Sequence, residues 1–303
     1  MHPIILLVLY FIVVAIFYNN TRFFDSNLGK GIIIALILVL FSVDIKLGLF
    51  TFLTIMTIYK YEYKTLNIHS YIINLDKNKN RFEGAKTQYE SSDLNGAISM
   101  DRFSAVNGKT LILEDYLQDD IIAEIEDVEE KKARTHHHQL TKGGVGCFLS
   151  HLTLYRQLNE DKSSNAYLIF EDDIMLVPNI KTHIDYSLKH IPNDWDIILY
   201  SWIRLGSQPM LNSSIEKVDY FWGMQCYLIN RRGAEAIAKE VEETPIDGQI
   251  DSFLSRMIKQ GKLRVYVYNK KVVNENSNQT DIQTDLKITT DIDPYDYKGY
   301  IMR

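Results

Sequence analysis

Cysteine is scarce in this chain: Cys147 and Cys226 are the only two among 303 residues. So few cysteines exclude a disulfide scaffold, and their separation excludes the close pairs of a zinc finger or ribbon. Both sit in apolar stretches and read as buried free thiols. Basic charge is also short. The formal net charge is −6, and the first 60 residues, with Arg22, Lys30, Lys46 and Lys60 against Asp25 and Asp44, carry +2. The remainder, at −8, has no basic excess to spread over a nucleic-acid backbone, so nucleic acid is excluded as a partner. The nucleotide-binding glycine motifs are missing as well. In Thr141-Lys142-Gly143-Gly144-Val145-Gly146 the lysine precedes the glycines, and no Gly-Lys-Ser/Thr ending follows. Nor does that run match the dinucleotide fingerprint.

What the chain does have begins with long uncharged runs. Pro3–Tyr18 carries no charge, nor does Gly31–Val43, and Leu47–Tyr59 follows after Asp44 and Lys46. The first run lacks a basic leader and a small-residue cleavage site, which argues against a cleaved signal peptide. About two membrane spans within residues 1–60 are the expectation, with a buried core helix as the alternative for 31–59. Lys60 and Lys64 favour a cytoplasmic position for residues 61–303 by the positive-inside rule, while Arg22 and Lys30 pull the other way.

The most informative segment lies further on. Leu168-Ile169-Phe170 is an apolar run of strand type that ends in Glu171-Asp172-Asp173. Acids at the C-terminal tip of a buried strand suit a hard divalent cation, Mg²⁺ or Mn²⁺, shared with substrate phosphates. Strand alternation would put Glu171 and Asp173 on one side and Asp172, a structural acid, on the other.

Around that tip the chain alternates strands and helices. Strands are expected at 66–75, 100–106, 167–173, 195–200, 220–229 and 263–268. Helices are expected at about 79–90, 147–160, 180–190, 234–243 and 249–258. Asp76 and Asn78 are candidate caps for the first helix, and the glycine run 143–146 forms the entry to the second. An anion could approach that entry, where glycines allow a close backbone and a helix start offers N–H groups. Residues 114–138 are an acid-rich insertion with Ile121, Ile122, Ile125 and Val128 as an apolar stripe. They end in His136-His137-His138, read as a mobile, solvated tract. The fold class is α/β, a sheet flanked by helices.

Four segments together resemble glycosyltransferase family 25, which includes bacterial lipopolysaccharide galactosyltransferases and collagen hydroxylysine galactosyltransferases. They are Tyr71-Ile72-Ile73-Asn74-Leu75-Asp76 with Arg81; Lys142 to His151, with its Gly-Cys-x-x-Ser-His core; Phe170-Glu171-Asp172-Asp173; and Tyr227 to Ala234 continuing to Pro245-Ile246-Asp247. The resemblance covers about 70–282. It implies a GT-A-like nucleotide-sugar fold and inverting, metal-dependent transfer of a sugar, with UDP-galactose as the donor. The acceptor would be a hydroxyl of a free glycan, a lipid-linked glycan or a protein.

On the same resemblance, Asp173 would bind Mn²⁺ or Mg²⁺, and Glu171 would touch the metal, its water or the ribose. Asn74, Leu75 and Arg81 would lie along the nucleotide, and Gly143 and Gly144 beside donor or acceptor. Ser150 and His151, four to five residues into their helix, would face the site or buttress it. Trp222 and Gln225 would contact sugar or support the site, with a place in the core as the alternative for Trp222. Asp247 and Asp251, i and i+4 around a helix start, would share a face. Asp247 is the preferred general base, since it matches the family's Pro-x-Asp, with a helix N-cap as its structural alternative, and Asp251 is the second choice. No histidine follows His190 to act as a third metal ligand, so Asn274, Glu275, Asn276, Asp281 or water would serve. Two other readings compete: a metal-dependent phosphohydrolase, and a non-catalytic binding protein derived from a transferase.

Overall fold

The computed structural model of the chain describes residues 66–136, 138–206, 214–270, 272–275 and 287–288, together with helical positions 35, 38, 45, 46, 48, 49 and 51–54. The chain divides into two compact units, 1–66 and 67–303. Among the described residues no helix is long and apolar enough to cross a membrane. The first expected span and most of the second lie outside the described residues.

The second unit is built on a seven-stranded mixed sheet. On one side of it β1 (Ile68–Asn74), β2 (Ser99–Ser104) and β4 (Ala166–Glu171) run parallel to one another. Between β2 and β4 in the chain come helix α2 (Asp119–Lys131), the short β3 (Ala133–Arg134) and helix α3 (Lys142–Glu160). Helix α1 (Lys79–Glu90) follows β1. After β4 come β5 (Ile174–Leu176), helix α4 (Ile180–His190), β6 (Ile197–Leu199), β7 (Arg204–Leu205), β8 (Ile215–Lys217), β9 (Phe221–Trp222) and β10 (Cys226–Asn230). Helices α5 (Arg231–Glu243) and α6 (Ile250–Lys259) precede β11 (Val265–Tyr268), β12 (Val273–Glu275) and β13 (Lys287–Ile288). The sheet order is β2-β1-β4-β10-β6-β11-β8.

Register explains where a site can form. Ile73 of β1 pairs with Glu171 of β4, and Cys226 at the start of antiparallel β10 pairs with Phe170. The C-terminal tips of β1 and β4 and the N-terminal end of β10 therefore meet at one edge of the sheet, where open α/β sheets bind ligands. Behind that edge lies a dry core. Every residue of β4 before Glu171 is fully buried, and so are Phe148, Leu154 and Tyr155 of α3. Each such large side chain contributes about 1.5–3 kcal/mol.

Several expectations change at this level. Helix α3 begins at Lys142, so the glycines are its first turns; Thr141 caps it by accepting from the Gly144 N–H at 2.9 Å. Ser150 and His151 thus fall in its third turn. The strand expected over 220–229 is two short strands, broken where Gly223 takes φ +76°, a left-handed conformation that favours glycine. Asn78 precedes α1 without a side-chain cap. The insertion at 114–138 joins the core through Ile122, Ile125 and Val128 of α2, all buried. Its histidine tract is not solvated throughout: His138 is buried.

Candidate active site

The meeting of β1, β4, β10, α3 and α6 encloses a cavity of about 380 Å³. Its lining includes Asn74, Leu75, Arg81, Gly143, Ser150, His151, Glu171, Asp173, Trp222, Gln225 and Asp251, all singled out above. Gly144 and Asp247 are not part of it.

The acid tip is arranged differently from a continuing strand. β4 ends at Glu171, so alternation stops there, and Asp172 joins Glu171 and Asp173 in the cavity wall rather than turning to the opposite face. Asp172 is a structural acid all the same. It accepts from Asn74 Nδ2 at 2.6 Å and is ion-paired with Arg81. Arg81 also lies 3.4 Å from Asp173. Asn74 Oδ1 in turn accepts from Arg102 Nε at 2.9 Å, and Arg102 pairs with Asp76 at 2.6 Å. A chain of alternating donors and acceptors thus locks the ends of β1 and β2 to the tip of β4. Asp172 belongs to that frame, while Glu171 and Asp173 present oxygen atoms of the kind a hard cation takes.

Helix α3 forms the back of the cavity. Ser150 accepts from the Val106 N–H at 2.9 Å and donates to the Gly146 carbonyl at 2.7 Å, so it buttresses the wall. His151 is fully buried, and burial holds its imidazole neutral, with a pKa pushed down to about 3. Its Nδ1 lies 2.7 Å from the Tyr227 hydroxyl, which is 2.8 Å from that of Tyr155. Cys147, one turn before His151, also lines the cavity. Burial, then the charges of Glu171, Asp251 and Asp173, push its thiol pKa well up.

The glycines of α3 serve packing more than ligand approach. A Cβ on Gly144 would stand 2.7 Å from the Gln249 amide. One on Gly146 would stand 2.5 Å from the Val106 carbonyl oxygen, and one on Gly108 1.6 Å from that of Lys142. Backbone meets backbone here, and the contact carries Asn107, Gly108 and Lys109 to the cavity rim. Gly108→Ala should destabilise the fold by about 1–3 kcal/mol, the usual cost of overpacking. Urea denaturation checks this, and an unchanged midpoint would show that the contact yields freely.

Helix α6 contributes Asp251 to the cavity wall, while Asp247, preferred above as the base, stays out of it. Asp247 lies before the helix, not on a shared face with Asp251, and its carboxylate is ion-paired with Arg256 at 2.8 Å, away from the cavity. Nor is it the cap, since Gln249 occupies that position. Asp251 accepts from the Gly223 N–H at 3.1 Å and from the Ser252 N–H at 2.8 Å. Burial raises its pKa above the ordinary carboxylate value, against these two hydrogen bonds, which lower it.

Sequence reasoning missed Lys77, Lys109, Cys147, His138 and Gln249 in this wall. His138 stacks edge-on against Trp222, with ring centroids 5.1 Å apart. Gln225 accepts from the Ser201 hydroxyl at 3.0 Å. Of the proposed third metal ligands, Asn274 and Glu275 lie in β12, which pairs with β5 directly after the acid tip, Glu275 opposite Ile174. Asn276 and Asp281 lie outside the described residues.

Comparison with known proteins agrees with the motif reading. The model of glycosyltransferase family 25 (LPS biosynthesis protein) matches residues 67–254, and the chain belongs to this family. Procollagen galactosyltransferase 1 of Danio rerio is 28% identical over 141 residues, covering 44% of this chain and 23% of that protein. Putative glycosyltransferase R655 of Acanthamoeba polyphaga mimivirus is 25% identical over 181 residues, covering 56% and 52%. A glycosyltransferase 25 family member of Drosophila melanogaster is 28% identical, covering 62% and 30%. The chain thus spans 23% to 52% of the length of these relatives.

Proposed function

We propose that the chain is an inverting glycosyltransferase that moves galactose from UDP-galactose to an acceptor hydroxyl. The observation that carries this reading is the cavity itself. It joins an acid-tipped strand, three cationic side chains (Lys77, Arg81 and Lys109) and a half-buried carboxylate of raised pKa on a separate helix. A diphosphate needs the cations and a hydroxyl nucleophile needs the base. Galactose is favoured because a relative carries galactosyltransferase in its name.

The carboxylates fit a hard cation. Glu171 and Asp173 would hold Mn²⁺ or Mg²⁺, which would supply charge to offset the departing diphosphate. Asp172, Arg81 and Asn74 fix the position of both acids. Asp251 takes the proton of the acceptor hydroxyl as its oxygen attacks the anomeric carbon and the bond to the diphosphate breaks. Trp222, with its face flanked by His138, offers an aromatic surface for a sugar ring. A glycan, lipid-linked glycan or protein acceptor fits this scheme equally. The uncharged runs within residues 3–59 support attachment to a membrane, with Lys60 and Lys64 favouring a cytoplasmic catalytic unit.

A donor screen on the purified full chain tests the reading. UDP release is expected from UDP-galactose in preference to UDP-glucose, in the presence of Mn²⁺, and excess chelator should remove it. Release of inorganic phosphate from phosphomonoesters, with no UDP formed, would favour a phosphohydrolase instead.

A further inference from the structure

Cys147, His151 and Glu171 stand together in a way that neither the family's acid tip nor the proposed transfer uses. The thiol sulfur, an imidazole nitrogen and a carboxylate oxygen all lie within 4.8 Å of one another. Cys147 and His151 are four residues apart on α3, so both face the tip of β4. His151 Nε2 is buried, has no hydrogen-bond partner and points to Glu171 Oε1 at 3.7 Å. Its other nitrogen is held by Tyr227 at 2.7 Å, and Tyr227 is braced by Tyr155 at 2.8 Å. Histidines that bind metals are commonly oriented in this manner through the second ring nitrogen.

We propose that Cys147, His151 and Glu171 form a binding site for a borderline divalent cation of the Zn²⁺ class. Zinc takes sulfur at about 2.3 Å and nitrogen or oxygen at about 2.0–2.2 Å, which sets tetrahedral ligands about 3.5 Å apart. From separations of up to 4.8 Å the three atoms need to close in by about 1 Å, within reach of side-chain rotation, to meet that shell. A thiolate and an imidazole select against Mg²⁺ and Mn²⁺, which the neighbouring carboxylates suit. On binding, the Cys147 thiol loses its proton to solvent and no oxidation state changes. The fourth position opens to the cavity and is filled by water. Glu171 is common to this site and to the donor's cation site. A bound Zn²⁺ therefore withdraws Glu171 from the donor and opposes turnover, a consequence that rests on the transferase reading. The site itself does not.

The test is titration of the full chain with Cd²⁺, whose thiolate complexes give an ultraviolet charge-transfer band. We expect the band to saturate at a single equivalent and to disappear on adding Zn²⁺. Cys147→Ser should abolish it. Cys226→Ser should leave it, because Cys226 neighbours Tyr227 on β10 and so points to the opposite face of the sheet. Glu171→Gln keeps both α3 ligands and should weaken binding more than about 10-fold, while Tyr227→Phe should weaken it by about 10-fold. Circular dichroism establishes that each variant is folded. Absence of the band in the folded wild-type chain, its persistence in Cys147→Ser, or its loss in folded Cys226→Ser would overturn the site. A chain that releases no UDP yet gives the band keeps this site and fails the transferase reading alone.

Discussion

Asp251→Asn should lower kcat by about 100- to 10,000-fold while leaving UDP affinity close to wild type. The carboxamide keeps the size of the side chain and one accepting oxygen, for either the Gly223 or the Ser252 N–H, and circular dichroism separates loss of proton transfer from unfolding. The pH profile supplies a second reading of the same group. Burial raises the Asp251 pKa, so its carboxyl gains a proton at a higher pH than an exposed aspartate would. The base works only when ionised. Activity should therefore rise with pH through a pKa above the usual carboxylate value, and Asp251→Asn should erase that limb from the residual rate. The same shift means that the folded state holds the proton more tightly than the unfolded chain. Stability from this group is thus present at acidic pH and declines as pH rises through the raised pKa. Asp247→Asn, by contrast, breaks a pair with Arg256 outside the cavity and should alter stability more than kcat. A large kcat loss in Asp247→Asn with none in Asp251→Asn would restore the ranking that the Pro-x-Asp pattern favours.

Much of this arrangement is legible along the chain because it is local. The strand at 166–171 is apolar up to Phe170, that at 68–74 carries the apolar run Tyr71-Ile72-Ile73, and the tip of β4 announces itself as three consecutive acids. The amphipathic stripe of α2 is likewise a short-range pattern, whereas α5 begins at Arg231, three residues before the expected start, because Asn230 caps it by accepting from the Gly233 N–H. The departures have specific causes. Spacing of i and i+4 places two acids on one face only if both lie in the helix, and α6 begins at Ile250, after Asp247. Alternation assigns faces only while the strand lasts, and β4 stops at Glu171. A single left-handed glycine, Gly223, divides a run that reads as one strand, and its N–H then holds Asp251. His138 and Lys109 reach the cavity through contacts between segments far apart in sequence, with the His138 carbonyl accepting from the Gln249 N–H at 3.2 Å. The glycine run of α3 misleads for another reason. Its lack of side chains looks like room for a phosphate, but the segment at 106–108 takes up that space.

We propose that the tip of β4 holds the donor diphosphate through a divalent cation bound by Glu171 and Asp173. Asp173→Asn tests it with little risk to the fold, because Arg81 keeps its pair with Asp172 and Asn74 keeps its bond to the same acid. Calorimetric titration of UDP into the wild-type chain and into Asp173→Asn, each with Mn²⁺ and with excess chelator, is the direct measurement. The account predicts that Mn²⁺ tightens UDP binding to the wild type by more than about 10-fold, and that Asp173→Asn removes most of this gain without changing the weak binding seen in chelator. Equal UDP affinity with and without Mn²⁺ in the wild type, or an undiminished Mn²⁺ effect in Asp173→Asn, would contradict it.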